Sequence, residues 1–475
     1  MLFNSFDFGF FLVIVYAIYW AIGTRHRTAQ NLLILLASYL FYGLWDWRFL
    51  LLLLGSSVID FVAGRMIAAT NKRTTRRFWL VGSILWNIGV LVAFKYFNFF
   101  VDNFLTLFGN SSGESFTIWH VVVPLGLSFY TFQTMSYTID VYRKTIAPTK
   151  NLMEFLCFVS FFPQLLAGPI ERARFLLPQF QNTRKFNIQE TKEGLRQILW
   201  GLFKKVLVAD KLGIAVTMAF NNPDQYGSLT LAFAAVLFSF QVYCDFSGYT
   251  DIAVGTAKLF GFKLHNNFRI PYLSKSITEF WQRWHITLTK WFTDYVYVPF
   301  VKRFKRITIL TRLIGLLTTM FLVGLWHGAN WTFIVFGVFN GVILAFERVP
   351  IFGKKKTLAK WLPYQPTLFS LIYFFSLTSI SSIFFRAESM AQARLILERI
   401  FTFADFTHLS SLIGWKLLYL VALIIFEVLT KSKAYPLEHM ETRFPRFFRW
   451  LIYYVMIILI VRYAEPREAF IYFQF

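Results

Sequence analysis

Charge is scarce in this sequence and leans to one sign. Of 475 residues only 15% are charged, against roughly a quarter in soluble domains. Lys and Arg number 48 against 25 Asp and Glu. Cysteine is rarer still: Cys157 and Cys244 stand in unrelated contexts, which excludes a disulfide framework and a thiolate metal cluster. The N-terminus has no basic leader followed by a small-residue cleavage site, so its first apolar run reads as a retained span. There is no H-E-x-x-H and no Walker loop, and the G-x-S-x-G string at 109–113 lies in a loop between apolar helical stretches, not on a strand-to-helix turn, so it is no nucleophile elbow. A serine hydrolase, a zinc protease and an ATP-driven step within the chain are thereby excluded. None of the seven histidines is followed five residues on by aspartate, and no metal or resident cofactor is expected.

Apolar and aromatic residues fill the rest. The chain is 56% hydrophobic and 20% aromatic, with 59 Phe. Apolar stretches lie near 8–22, 29–44, 48–68, 78–101, 118–139, 195–220, 229–254, 309–326, 331–347, 367–385, 412–430 and 450–463. A span needs about 20 mostly apolar residues, and this pattern predicts an all-α polytopic membrane protein of about ten to thirteen passes. Without a repeat or a low-complexity linker, 1–475 reads as a single membrane domain. The net charge of +23 sits in short loops, which points to lipid headgroups rather than nucleic acid. The basic loops 25–27, 72–77, 143–192, 258–312, 348–360 and 431–449 are expected in the cytoplasm. The base-free loops 102–115 and 221–228 are expected opposite, which leaves both termini extracytoplasmic. Lys204 and Lys205 read as snorkelling groups at a helix end.

Two segments carry chemistry. In "FWQRWHITLTKWFTDYVYVP" (280–299), Trp281, Trp284, Leu288, Trp291 and Tyr295 fall on one helical face, and Glu279 and Arg283 can pair at i,i+4. The spacing predicts an amphipathic helix with its tryptophans at headgroup depth; His285 is left unexplained by it. In "GLWHGANW" (324–331), His327 is the one ionisable residue between Leu313 and Phe346. Such a group within a membrane marks a functional site, and imidazole suits proton transfer at neutral pH. Gly324 and Gly328 permit close approach and a helix break there. A third stretch, "FFPQLLAGPIERARFLLPQF" (161–180), carries three prolines, so no straight helix crosses there. The remaining histidines, His26, His120, His265, His408 and His439, read as solvated or capping groups.

The segments "EFWQRWHITLTKWFTDYVYVP", "GLWHGANW", "QVYCDFSGYTDIAVGTAKLFGF" and "LAGPIERARFLLPQF", with the ending "EAFIYFQF", together resemble the membrane-bound O-acyltransferase family. The likeness is to its bacterial polysaccharide branch and covers the chain from about residue 120, with the motifs in about 120–350. The resemblance implies a ring of tilted helices around a central tunnel, with re-entrant and interfacial helices. It places the essential histidine at His327 and the second at His285, with Trp284, Arg283, Trp326 and Asn330 as neighbouring donor- or substrate-binding candidates. It implies transfer of a short acyl group, acetyl foremost, in the bacterial cytoplasmic membrane. The donor would be acetyl-CoA or an acyl carrier protein thioester on the cytoplasmic side. The acceptor would be an extracytoplasmic polysaccharide hydroxyl, reached directly or through an SGNH-type partner protein. D-alanyl transfer to teichoic acid is the alternative within the branch; a polysaccharide-export transporter or a non-catalytic scaffold are the alternatives outside it. After "YVYVP" this chain continues "FVKRFKR", where alginate-type members carry a glycine-rich turn, and the acceptor stays open.

Overall fold

A computed structural model describes residues 3–107, 122–166, 168–350, 357–402, 407–412, 414–464 and 470–473. Among these, helices account for nearly all regular structure, with one isolated β-bridge between Pro350 and Thr357. Among the described residues, six helices are long and apolar enough to cross a membrane: Arg27–Ala69, Arg73–Thr106, Ser228–Leu259, Ile309–His327, Trp331–Arg348 and Thr367–Arg386. Shorter apolar helices cover Phe6–Ala21 and Leu417–Leu429. The chain divides into two compact units, Met1–Leu195 with Ala253–His265, and Arg196–Ile252 with Asn266–Phe475.

The first unit opens with α1 (Phe6–Ala21) and α2 (Arg27–Ala69). The two apolar stretches 29–44 and 48–68 form this one element, kinked where Asp46 leaves helical geometry (φ −160°, ψ 112°). The Asp46 carboxylate accepts from the backbone and guanidinium of Arg48, which replaces helix bonds lost at the kink. α3 (Arg73–Leu91) runs through a π-turn (Val92–Tyr96) into α4 (Phe97–Leu107). α5 (Leu127–Tyr142) is the described part of the stretch 118–139; His120 and most of the loop 102–115 lie outside the described residues. Buried Asp60 on α2 accepts from Ser83 and Asn87 of α3 and Thr138 of α5. One carboxylate thus ties three helices and has its oxygens satisfied, as burial requires. The proline-rich stretch becomes two short helices, α7 (Phe162–Leu165) and α8 (Ala173–Gln181), after α6 (Leu152–Ser160). Phe161, Phe162, Ile170 and Phe180 are all buried, so this irregular backbone lies inside protein, where it is tolerated.

α9 (Ile188–Leu202) leads through a second π-turn (Phe203–Ala209) into α10 (Asp210–Asn221), followed by α11 (Ser228–Leu259). Here the snorkelling reading is corrected. The Lys205 ammonium sits 2.8 Å from Asp210 and 2.7 Å from Asp245, all three buried. The Lys204 ammonium bonds Ser247 and Asp251. The π-turn points both lysines at carboxylates of the second unit rather than at solvent.

The segment 280–299 is the second correction. It is not one surface helix but two short ones, α12 (Ile277–Arg283) and α13 (Ile286–Phe292), broken at Trp284–His285, then a π-turn (Thr293–Tyr297) and α14 (Val298–Lys302). Trp281, Trp284 and Trp291 are buried, so they are core rings and not headgroup anchors. The Glu279–Arg283 pair forms as expected, at 2.6 Å. α15 (Ile309–His327) and α16 (Trp331–Arg348) make a tight hairpin. α17 (Leu358–Trp361), α18 (Thr367–Arg386), α19 (Met390–Phe401), α20 (Leu409–Leu412), α21 (Lys416–Leu429) and α22 (Arg446–Arg462) complete the unit.

Removing one partner of a buried ion network leaves an uncompensated charge, at a loss of about 3–5 kcal/mol. Lys205→Ala is expected to lower the melting temperature of the detergent-solubilised protein sharply. Adding Asp210→Asn and Asp245→Asn to it should recover part of the loss. Equal melting of the wild type and Lys205→Ala would contradict this account.

Candidate active site

The hairpin of α15 and α16 is built by small residues. A methyl group on Gly324 would come within 2.3 Å of the Phe333 carbonyl and 3.0 Å of Gly337 Cα. Only glycine lets the two backbones approach so closely. One on Gly328 would fall 2.3 Å from the Phe333 ring. These glycines therefore serve the close approach of the two helices and, at Gly328, the break at the end of α15, as expected from the sequence.

α15 ends at His327, where Gly328 turns extended. The imidazole is only 3% exposed. Aromatic rings surround it: Trp326 at 4.8 Å, Phe385 at 5.1 Å, Phe336 at 5.4 Å and Tyr472 at 5.6 Å between centroids. His327 lines a small pocket with Trp281, Trp284, Phe336, Phe385 and Tyr472. The polar groups of its wall are mostly engaged. Asn340 accepts from the Trp281 indole and donates to Ser381.

His285 stands at the break between α12 and α13 with φ 40° and ψ 54°. This left-handed geometry is uncommon outside glycine but is visited by histidine. Two things hold it there. The Ile286 N–H bonds the Asn267 carbonyl (2.9 Å) and Thr287 bonds its side chain (2.6 Å). The His285 Nδ1 also accepts from the Leu288 N–H at 3.4 Å, capping α13. The ring is fully buried, against Phe246 at 4.7 Å and Trp326 at 5.8 Å. Burial pushes the imidazole down to about 3, so it is neutral at physiological pH. Trp326 touches both histidine rings and so joins the two motifs.

The other candidates separate. Trp284 lines the pocket, stacked on Phe280. Arg283 is spent on Glu279, and its carbonyl accepts from the Arg269 N–H. Asn330 caps α16 through Thr332 N–H and donates to the Glu388 carbonyl. Trp331 is 53% exposed and does not line the pocket.

Tyr472 is the residue that sequence reasoning missed. The Asp245 carboxylate accepts the Ile471 N–H at 2.7 Å, and Phe470 packs on Tyr249. This docking carries Tyr472 into the pocket, where its hydroxyl is buried and without a hydrogen-bond partner among the described residues. Burial, and secondly Asp245, push the phenol far above its ordinary value. The ending "EAFIYFQF" held the signal, but nothing in it announces where the tail docks.

An imidazole and a phenol thus line one aromatic pocket inside a polytopic helical protein, groups suited to proton transfer and hydrogen bonding in a membrane-embedded enzyme. The sequence model of the membrane-bound O-acyltransferase family matches residues 143–387, which include both histidines, and the chain belongs to that family. It is therefore an O-acyltransferase of the membrane. It is 38% identical to the probable alginate O-acetylase AlgI of Azotobacter vinelandii, over 86% of this chain and 79% of the relative. It is 31% identical to the peptidoglycan O-acetyltransferase of Helicobacter pylori, over 82% and 76%. It is 29% identical to the teichoic acid D-alanyltransferase of Bacillus subtilis, over 50% and 62%.

A histidine whose folded value is depressed binds its proton in the unfolded chain first. Its contribution to stability is present above about 6.5 and is lost as pH falls from there toward about 3. Wild type should therefore destabilise more steeply than His285→Asn across that window. Parallel melting curves for the two proteins would refute the buried, neutral assignment.

Proposed function

We propose that this enzyme moves a short acyl group, acetyl foremost, from a cytoplasmic thioester to a hydroxyl on an extracytoplasmic polysaccharide. The observation that carries the reading is His327, enclosed in the aromatic pocket beside Tyr472. An attacking hydroxyl gives its proton to the imidazole as its oxygen bonds the acyl carbon. The carbon–sulfur bond breaks, and the thiolate leaves and takes up a proton. The Tyr472 hydroxyl is a second oxygen within the pocket, positioned to hydrogen-bond the acyl carbonyl or to accept the group itself. Acetyl-CoA or an acylated carrier protein would be the donor, with no resident cofactor. Alginate and peptidoglycan acetylation, named for relatives that align over more than four-fifths of this chain, support a polysaccharide acceptor. That acceptor is reached directly or through an SGNH-type partner. D-alanyl transfer is the weaker reading, because its relatives align over half of the chain.

A catalytic base contributes roughly 10²–10⁴-fold. His327→Ala is expected to insert and purify normally and to retain less than about a tenth of wild-type transfer of radiolabelled acetyl; fuller activity would sink the assignment. Tyr472→Phe should fall by at least about tenfold, the order expected for a lost transition-state hydrogen bond. Because ring-walled pockets accommodate bulk poorly, sealed vesicles should use acetyl-CoA well and palmitoyl-CoA poorly, supplied to the cytoplasmic face. A preference for palmitoyl-CoA, or a need for the thioester outside, would refute the reading.

We propose further that the enzyme sits in the bacterial cytoplasmic membrane with both termini outside. The support is the clustering of Lys and Arg in alternate loops. An impermeant thiol reagent on intact cells should label Ser111→Cys and spare Arg76→Cys; the opposite pattern reverses the topology.

A further inference from the structure

Three lysines converge on a cleft of the first unit that acyl transfer does not use. Lys185, Lys258 and Lys263, with Trp20, Glu190 and Thr191, line an opening of about 550 Å³. Glu190 is the one acidic residue of its lining. The turn that presents Lys258 and Lys263 is fixed. Gly261 takes φ +77°, and the Gln179 side chain holds the Lys263 backbone at both ends, accepting its N–H (2.8 Å) and donating to its carbonyl (3.0 Å). Behind the turn lies the buried Arg184, its guanidinium 4.9 Å from the Phe262 ring centroid. It donates to the Gln179 carbonyl (3.0 Å) and Asn31 Oδ1 (2.7 Å). These are neutral oxygens, so its charge adds to the positive potential of the cleft.

The rim is apolar. Phe186 and Ile188 are more than half exposed, and the Phe186 ring meets Trp20 at 5.3 Å. Trp20 is itself fixed by donating its indole N–H to the Leu259 carbonyl. A cationic cleft bordered by exposed apolar side chains suits a ligand that is anionic at one end and greasy at the other. We propose that this cleft binds the phosphate of an anionic lipid headgroup, with the acyl chains lying along Phe186 and Ile188. The proposal is independent of the transfer reaction.

The test uses the full-length protein in phosphatidylcholine vesicles doped with increasing phosphatidylglycerol, reading the melting temperature. Phosphatidylglycerol should raise it saturably. Lys185→Gln, Lys258→Gln and Lys263→Gln should each weaken the apparent affinity by about fivefold, the order of one lysine at a lipid surface. Lys263 is exposed, so its single variant folds and must already show the shift. Lys302→Gln with Lys305→Gln, outside the cleft, should change nothing. Inorganic phosphate and CoA, added to pure phosphatidylcholine vesicles, should not raise the melting temperature. Wild-type affinity in the Lys263 variant would overturn the site. An equal loss in the Lys302/Lys305 control would mean diffuse surface attraction. Stabilisation by phosphate or CoA that depends on the cleft lysines would make it a soluble anion's site instead.

Discussion

The ammonium of Lys205, held between Asp210 and Asp245, is the interaction on which the active site rests. A charge in apolar surroundings survives only when paired and hydrogen-bonded. Here the pairing is put to further use: the Asp245 oxygen opposite the lysine accepts the Ile471 N–H. That bond docks the end of the chain and sets Tyr472 against His327. The His327 pocket is therefore completed by a segment far from it in sequence, held through a carboxylate that is itself paired with a lysine on a π-turn. π-turns recur where an insertion re-aims side chains at functional sites, and this one aims Lys204 and Lys205 inward.

The two histidines are chemically the same and are made different by their settings. His285 is locked in a left-handed turn, caps α13 and is fully buried; burial keeps it neutral. Neutral imidazole that accepts at Nδ1 carries its proton on Nε2. Trp326 packs against it and against His327. His327 lies instead at a helix end whose first extended residue is glycine, and it lines the pocket. Of the two, it is the one placed to meet a substrate hydroxyl.

How much of this was legible in the sequence follows from which interactions are local. The apolar runs gave the helices, because length and composition decide what can cross a bilayer. His327 stood out because it is ionisable in a run without charges. The prolines of 161–180 announced irregular backbone, and burial explains how it persists. The break at Trp284–His285 was not legible: a 3.6-residue period fits an unbroken helix equally well, and the bonds that break it come from Asn267. Lys204 and Lys205 were misread for the same reason, since their carboxylate partners include Asp245 and Asp251 on α11.

The close crossing of α15 and α16 sets one more limit on chemistry. Gly324 against Gly337, and Gly328 against Phe333, leave no slack behind His327. A close-packed interior does not deform continuously, so the imidazole cannot retreat into the hairpin when a ligand arrives. Whatever enters must fit the space bounded by Trp281, Phe336, Phe385 and Tyr472. A rigid histidine in a walled pocket favours reaction by positioning, because a ligand is brought to the imidazole instead of the imidazole to the ligand. For the proposed transfer between opposite faces of the membrane, that arrangement would let one fixed side chain serve both, with the acyl group alone moving.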